Sequence, residues 1–213
     1  SSLKLFTMTT TINLSNEVIV SDPCYSVPTW CQTVLTDVLP GRYISQVNED
    51  PETDRCAELL VIHEDFYQSR LIYDEHSSCG VDSGQLGVFD AASYRSDAAA
   101  EGITTPYVDF SLPGNSLEGD AWYTKMCKFT LAELNWGAYD AGVVSRSGWG
   151  DGMYPLDVAR NDKGQIVAML ITFIDNDPED DDEPDCCNEC GAELEPDRSC
   201  DYCTHFENSK TED

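Results

Sequence analysis

Short apolar runs alternate with turn-forming residues along most of this chain, and the runs have the length of strands rather than of helices. The β-branched stretch Val18-Ile19-Val20-Ser21 runs into Asp22-Pro23-Cys24-Tyr25, where the proline restricts the residue before it to extended backbone. This predicts a strand ending in a fixed turn. Residues 41–47 alternate polar and apolar side chains and predict a strand with one wet face, whereas residues 56–63 form a more continuous apolar run and read as a buried strand. Residues 80–90 read as one strand interrupted by glycine, with Asp82 and Asp90 bracketing its apolar part.

The middle of the chain changes character. Residues 91–100 are weakly helical or loop, and residues 101–119, with Pro106, Pro113 and Gly114, form a long connection. Asp120 is placed to cap a helix over residues 121–134, in which Trp122, Met126, Phe129 and Leu134 share one face. Residues 154–159 and 165–174 are strand-like again and are joined by Asn161-Asp162-Lys163-Gly164, a hairpin signal because these residues tolerate left-handed backbone. There is no internal repeat. The fold class that follows is α+β, mostly β: a compact body of antiparallel or mixed sheet with one main helix.

Ahead of that hairpin lies Gly142-Val143-Val144-Ser145-Arg146-Ser147-Gly148-Trp149-Gly150-Asp151-Gly152-Met153-Tyr154, which is richer in glycine than a routine hairpin requires. Gly148, Gly150 and Gly152 predict a tightly folded loop around Asp151. The loop does not match a phosphate-binding Walker motif, since it lacks the Gly-Lys-Ser/Thr ending and enters a strand instead of a helix.

At 213 residues, with 41% hydrophobic and 10% aromatic side chains, the chain can bury one full core and carry an appendage. Its net charge of −28 is extreme. Such a field repels nucleic acid and anionic membrane and favours a basic protein partner or cations. Residues 175–213 hold 16 acidic and two basic side chains, so the tail is the denser part. Residues 175–185, with eight acidic side chains and two prolines, read as a solvated linker between a β-rich domain over 1–174 and a small segment over 186–213. No apolar run of about 18 residues suggests a membrane span. The first eleven residues lack a signal-peptide pattern, and Cys24, Cys31, Cys56, Cys79 and Cys127 read as reduced thiols, which together point to the cytoplasm.

The remaining cysteines carry the most specific chemistry. Cys187-Asn188-Glu189-Cys190 and Cys200-Asp201-Tyr202-Cys203 are two Cys-x-x-Cys pairs; two thiolates at that spacing bite one ion and two such knuckles complete a tetrahedral zinc site, here with a nine-residue loop between them that is shorter than in most ribbons. Gly191 suits the backbone of the first knuckle, and Cys186 and His205 are spare ligands. Four sulfurs leave no position for water, so the zinc is structural, and its binding supplies folding energy to a segment too small for its own core. A pair of disulfides is the simpler alternative, and a redox role a third.

Elsewhere, Cys24 is a candidate nucleophile with His63 or His76 as base, although an inert buried thiol explains it as well. Asp82, Asp90 and Asp151 are candidates to converge as metal ligands or as an acid and base pair. Aspartates beside glycines more often cap turns.

Four blocks together are similar to one family. Asp22-Pro23-Cys24-Tyr25, Gly41-Arg42-Tyr43, Gly80-Val81-Asp82-Ser83-Gly84-Gln85 through Asp90, and Ser147-Gly148-Trp149-Gly150-Asp151-Gly152 through the final strand resemble, in order, the domain of unknown function 4241 family of bacteria and their phages, marked by a Gly-Asp-Gly motif. The resemblance covers roughly residues 15 to 175 and leaves out the cysteine segment. It implies one body in which Asp22, Asp82, Gly84, Asp151 and Gly152 matter, for folding or for a ligand, and implies no particular activity.

The reading that results is a non-enzymatic intracellular binding protein, encoded by a phage or mobile element. Its ligand residues are Asp22, Asp82, Gly84, Asp151 and Gly152. Its zinc ligands are Cys187, Cys190, Cys200 and Cys203, and its acidic face meets a basic protein partner. A small-molecule ligand is a second partner class. The alternatives are a metal-dependent hydrolase of a small molecule or nucleotide using Cys24, Asp82 and Asp151, and an acidic mimic of nucleic acid.

Overall fold

In the computed structural model, residues 8–110 and 117–175 are described, and eleven strands dominate them. The chain divides into two units, Ser1–Asp175 and Asn176–Asp213. The proposed linker, apart from Asp175, and the whole cysteine segment lie outside the described residues.

The strands form two antiparallel sheets. Strands β1 (Thr9–Leu14), β4 (Gly41–Glu49), β5 (Cys56–His63), β11 (Ile166–Thr172), β10 (Gly152–Arg160) and β6 (Asp74–Val81) make a six-stranded sheet in that spatial order. Strands β3 (Thr33–Leu35), β2 (Val18–Ser21), β7 (Gln85–Asp90), β9 (Gly142–Arg146) and β8 (Trp136–Tyr139) make the second. The only parallel pairing among the described residues is an isolated bridge between Val38 and Ile166. The expected hairpin joins β10 to β11, with Gly164 at φ +80° and the Asn161 side chain accepting from Lys163 N and Gln165 N.

The sequence patterns translate directly into layers. The main core lies between the sheets, where Tyr43, Leu59, Val61, Leu156, Met169 and Ile171 of one meet Val18, Val20, Leu86, Val88 and Val143 of the other. The alternation of β4 puts Tyr43, Ser45 and Val47 inward, as its sequence predicts. Strands β2 and β7, by contrast, are buried at every position, because the outer face of their sheet is covered as well. On that face Ile19, Phe89 and Val144 pack against Trp122, Met126 and Phe129 of helix α2 (Asp120–Thr130), together with Tyr94. Phe89, Tyr94 and Trp122 meet edge-on or tilted, with centroids 5.0–5.5 Å apart.

Two expectations are corrected. Residues 80–90 are not one strand: β6 ends at Val81 in the six-stranded sheet, and β7 begins at Gln85 in the other. The glycine that interrupts the pattern marks a change of sheet, and Gly84 takes φ +68°, which a side chain would strain. Nor does Asp120 cap α2. It is the first helical residue, and its carboxylate accepts from Leu117 N on the preceding turn. The free amides of Ala121 and Trp122 donate instead to Asp97 Oδ1, on the single helical turn α1 (Asp97–Ala100). Helix α2 stops at Thr130, so Leu134 falls beyond the shared face and is exposed.

Asp97→Ala is expected to destabilise the fold by about 1–2 kcal/mol, the usual worth of a helix cap, whereas Asp120→Ala costs under about 1 kcal/mol. Urea denaturation of both variants measures the difference. Equal effects would return the cap to Asp120.

Candidate functional site

Three turns converge where the chain leaves or changes sheets. The first follows β2, whose last residue precedes Asp22, and Asp22 is fully buried. Its Oδ1 accepts from Cys24 N at 2.8 Å and from Ser83 Oγ at 2.6 Å, and its Oδ2 from Asp82 N at 2.9 Å and Ser83 N at 2.7 Å. Four donors satisfy the carboxylate, so it locks the β6–β7 turn onto the end of β2. The Tyr94 hydroxyl lies 3.1 Å from Asp22 O and 2.7 Å from Tyr25 O, and Arg95 donates to Pro23 O at 2.8 Å.

The third turn is the glycine-rich loop between β9 and β10, which again carries the chain from one sheet to the other. It is tied to the β6–β7 turn at two points: Ser147 N donates to Gly84 O at 3.1 Å, and Gly84 N donates to Asp151 Oδ1 at 3.0 Å. The Tyr154 hydroxyl reaches both Ser147 O and Gly150 O. Gly148 takes φ +56°, which favours glycine, and a Cβ there would sit 3.0 Å from Ile174 Cγ1 and 3.3 Å from Cys56 O, so the space for a side chain is tight as well. The loop's first sequence-derived property, tight folding around Asp151, is therefore a property of two turns held together.

Among the residues singled out from sequence, Asp22, Asp82, Gly84, Asp151 and Gly152 do come into one region. Asp82 is exposed and accepts from the Tyr25 hydroxyl at 2.5 Å. Gly152 opens β10 opposite Val81. Asp90 does not join them. It stands at the far end of β7, about 17 Å of strand away, and accepts from Ser15 N and Ala92 N. The expected convergence of Asp82, Asp90 and Asp151 is thus corrected, and among the described residues no group of three or more His, Cys, Asp or Glu is arranged to hold a metal ion.

The catalytic candidacy of Cys24 meets a similar geometry. Burial, followed by the Asp22 charge, pushes its thiol well above the ordinary range, and Arg95 reaches only its carbonyl, at 3.2 Å. Neither proposed base is beside it. His63 is buried on β5, edge-on to Tyr43 at 5.1 Å with Nδ1 accepting from Asp65 N, and His76 is exposed on β6.

A cleft of about 280 Å³ opens beside the joined turns, lined in part by the two blocks singled out from sequence and in part by Arg55 and a helical wall that sequence did not point to. Ser83 and Gly84 of the β6–β7 turn and Gly148, Trp149 and Gly150 of the loop form one side. Tyr123, Cys127, Thr130 and Leu131, from α2 and the residue after it, form the other. Gln85 is buried and is held by Thr130 Oγ1 at 3.0 Å and by Cys127 Sγ at 3.3 Å. Arg55 and Arg146 complete it. Of the five expected ligand residues only Gly84 lines the cleft; the aspartates support its walls from behind. Arg55 carried no sequence signal, being an isolated cation, and Arg146, though it lies in the glycine-rich stretch, is not part of its glycine and aspartate pattern.

The architecture defines the class of protein: a two-sheet antiparallel β body with one helix packed on its outer face. A family model described as "Protein of unknown function (DUF4241)" matches residues 49–171, and the chain belongs to that family. The matched span runs from the end of β4 through β11 and contains both sheet-changing turns, but it begins after Asp22-Pro23-Cys24-Tyr25, later than the resemblance drawn from sequence. Comparison with curated proteins and with solved structures finds no match. Among the described residues no helix is long and apolar enough to cross a membrane.

Asp22→Asn is expected to lower stability by about 2–4 kcal/mol in urea denaturation at pH 7, since an amide nitrogen would face backbone donors in a buried site. A loss below about 1 kcal/mol would remove Asp22 from its structural role. A raised thiol pKa means less thiolate, so Cys24 in the folded protein should alkylate with iodoacetamide at pH 8 far more slowly than in urea; peptide-resolved mass spectrometry reads this, and equal rates would restore an activated cysteine.

Proposed function

We propose that this protein is a non-enzymatic binding protein whose body takes a ligand in the cleft beside the Gly-Asp-Gly loop. The observation that supports this reading is the use made of the carboxylates. Asp22 is saturated by four hydrogen-bond donors, Asp151 holds the amide of Gly84, and Asp82 holds a tyrosine hydroxyl, so these groups build walls. The Cys24 thiol is kept protonated by its surroundings and has no histidine beside it among the described residues. What faces the cleft is a set of hydrogen-bond donors and an exposed aromatic ring, a composition suited to holding a molecule in place.

The C-terminal segment extends the proposal. Cys187, Cys190, Cys200 and Cys203 hold one structural zinc ion, and this ribbon with its acidic surroundings contacts a basic partner protein. Origin in a phage or mobile element and a cytoplasmic location belong to the same reading.

Native mass spectrometry of the full chain purified from its host tests it. The expected spectrum shows one zinc per chain, lost in a Cys187→Ser and Cys190→Ser double variant, together with a retained small molecule or partner protein. Loss of the basic partner on removal of residues 176–213, with the small molecule kept, would separate the two contacts. A chain without zinc after reduced purification would overturn the ribbon. Metal-dependent turnover abolished by Asp151→Asn, with the fold intact, would replace the binding protein by a hydrolase.

A further inference from the structure

The charges that face the cleft run against the charge of the whole. The sequence has 40 acidic and 12 basic side chains, yet among the described residues no carboxylate lines this cleft and two arginines do. Among the described residues Arg42, Arg95 and Arg160 each have a carboxylate within ion-pair distance, whereas Arg55, Arg146 and the exposed Arg70, which lies outside the cleft, do not. Within the cleft, both unpaired guanidinium groups therefore face the same space.

Both guanidinium groups are positioned without being used up. Arg146 donates through Nε to Thr130 O at 2.8 Å, at the C-terminal end of α2. Arg55 donates through Nη1 to Gly148 O at 3.0 Å and lies over the Trp149 ring, 4.4 Å from its centroid. Each of these side chains carries five N–H donors, so one anchoring bond leaves a free edge, and the fork geometry of that edge matches the oxygens of a carboxylate or phosphate. Because the anchors are main-chain carbonyls, holding the forks costs no charge.

The rest of the cleft specifies what the anion is attached to. Trp149 is 63% exposed and Leu131 50% exposed, and both line the opening, so an apolar planar surface stands next to the two cations. Gln85 is only 3% exposed, and the partner of its amide nitrogen is the sulfur of Cys127, a weak acceptor. A cleft of about 280 Å³ holds a single ring system with its substituent and not a polymer.

We infer that the cleft binds a phosphate monoester carried on a planar ring, the phosphate bridging Arg55 and Arg146 and the ring resting against Trp149. Two cations match the charge of such a phosphate, which is close to −2 at neutral pH, better than the single charge of a carboxylate. This inference rests on the proposal that the cleft is the ligand site of a binding protein, and it names the class of that ligand.

Isothermal titration calorimetry of the full chain tests it, with phenyl phosphate and the four ribonucleoside 5′-monophosphates as probes and with benzoate, inorganic phosphate and the unphosphorylated nucleosides as comparators. At least one ring-bearing monoester should bind. Its affinity should fall about tenfold to a hundredfold in Arg55→Ala and again in Arg146→Ala, the worth of charge-assisted hydrogen bonds. Trp149→Ala should weaken the monoester more than inorganic phosphate, since it removes the ring's contact as well as the support of Arg55. Arg55→Gln and Arg146→Gln, with thermal melts of every variant, separate lost binding from lost folding. Benzoate or a nucleoside binding as tightly as the monoester overturns the phosphate. Monoester binding that ignores both arginines overturns the site. If no probe binds while native spectra still show a retained molecule that Trp149→Ala releases, the ligand class is wrong and the binding reading stands; if that molecule is absent too, both fall.

Discussion

A buried carboxylate with four hydrogen-bond donors is the constraint on which the rest of this molecule depends. Asp22 leaves the end of β2 and holds, on its two oxygens, the amides of Cys24, Asp82 and Ser83 and the hydroxyl of Ser83. Those contacts decide where the chain passes from the six-stranded sheet to the five-stranded one. The glycine-rich loop, which makes a second passage between sheets, is then registered against the first through Gly84 and Asp151. A sandwich whose sheets exchange strands needs its crossings fixed relative to one another. Here one buried charge and one exposed carboxylate do so through backbone amides, which have no freedom to choose other partners.

Burial on both faces gives the second sheet its character. With β2, β7 and β9 enclosed between the six-stranded sheet and α2, their side chains alternate between two cores and need no polar face. The helix that supplies the outer cover is itself short and is capped from α1 by Asp97, so the connection between them is pinned where the helix begins. The same helix ends at Thr130, and its terminal carbonyl anchors Arg146. Support of the core and placement of a cleft cation are therefore consequences of a single element's two ends.

Electrostatics separates the cleft from the surface around it. The long-range field of an acidic protein repels anions, but hydrogen bonds from oriented guanidinium groups act at contact distance, where screening by solvent and salt matters less. An anionic ligand would be selected by shape and bonding and not gathered by the field. The acidic surface, meanwhile, remains available to a basic partner, so the two recognition tasks proposed for this chain use opposite charges at different places.

Much of the architecture was legible along the chain. The β-branched run before Asp22-Pro23, the alternation of residues 41–47, the apolar run of residues 56–63 and the Asn161 to Gly164 hairpin each predict the strand or turn that is observed, because strand period and turn chemistry are local properties. Residues 121–130 likewise announce their buried helical face. The gathering of Asp22, Asp82, Gly84 and Asp151 was legible only as a list of turn residues.

Tertiary structure alone decided the rest. Whether glycine at 84 interrupts a strand or ends one, whether Asp97 or Asp120 meets the amides of α2, and whether Asp90 stands with Asp82 or a strand's length away all depend on which distant segments are brought together. The cleft shows the difference most clearly. Arg55, Gln85 and Tyr123 come from three separate places in the chain and Arg146 and Trp149 from a fourth, and no motif joins the four. Local sequence determines what a segment can become, since propensity and periodicity act over a few residues; the site follows from how two sheets and a helix pack, because only packing sets the distance between residues far apart in the chain.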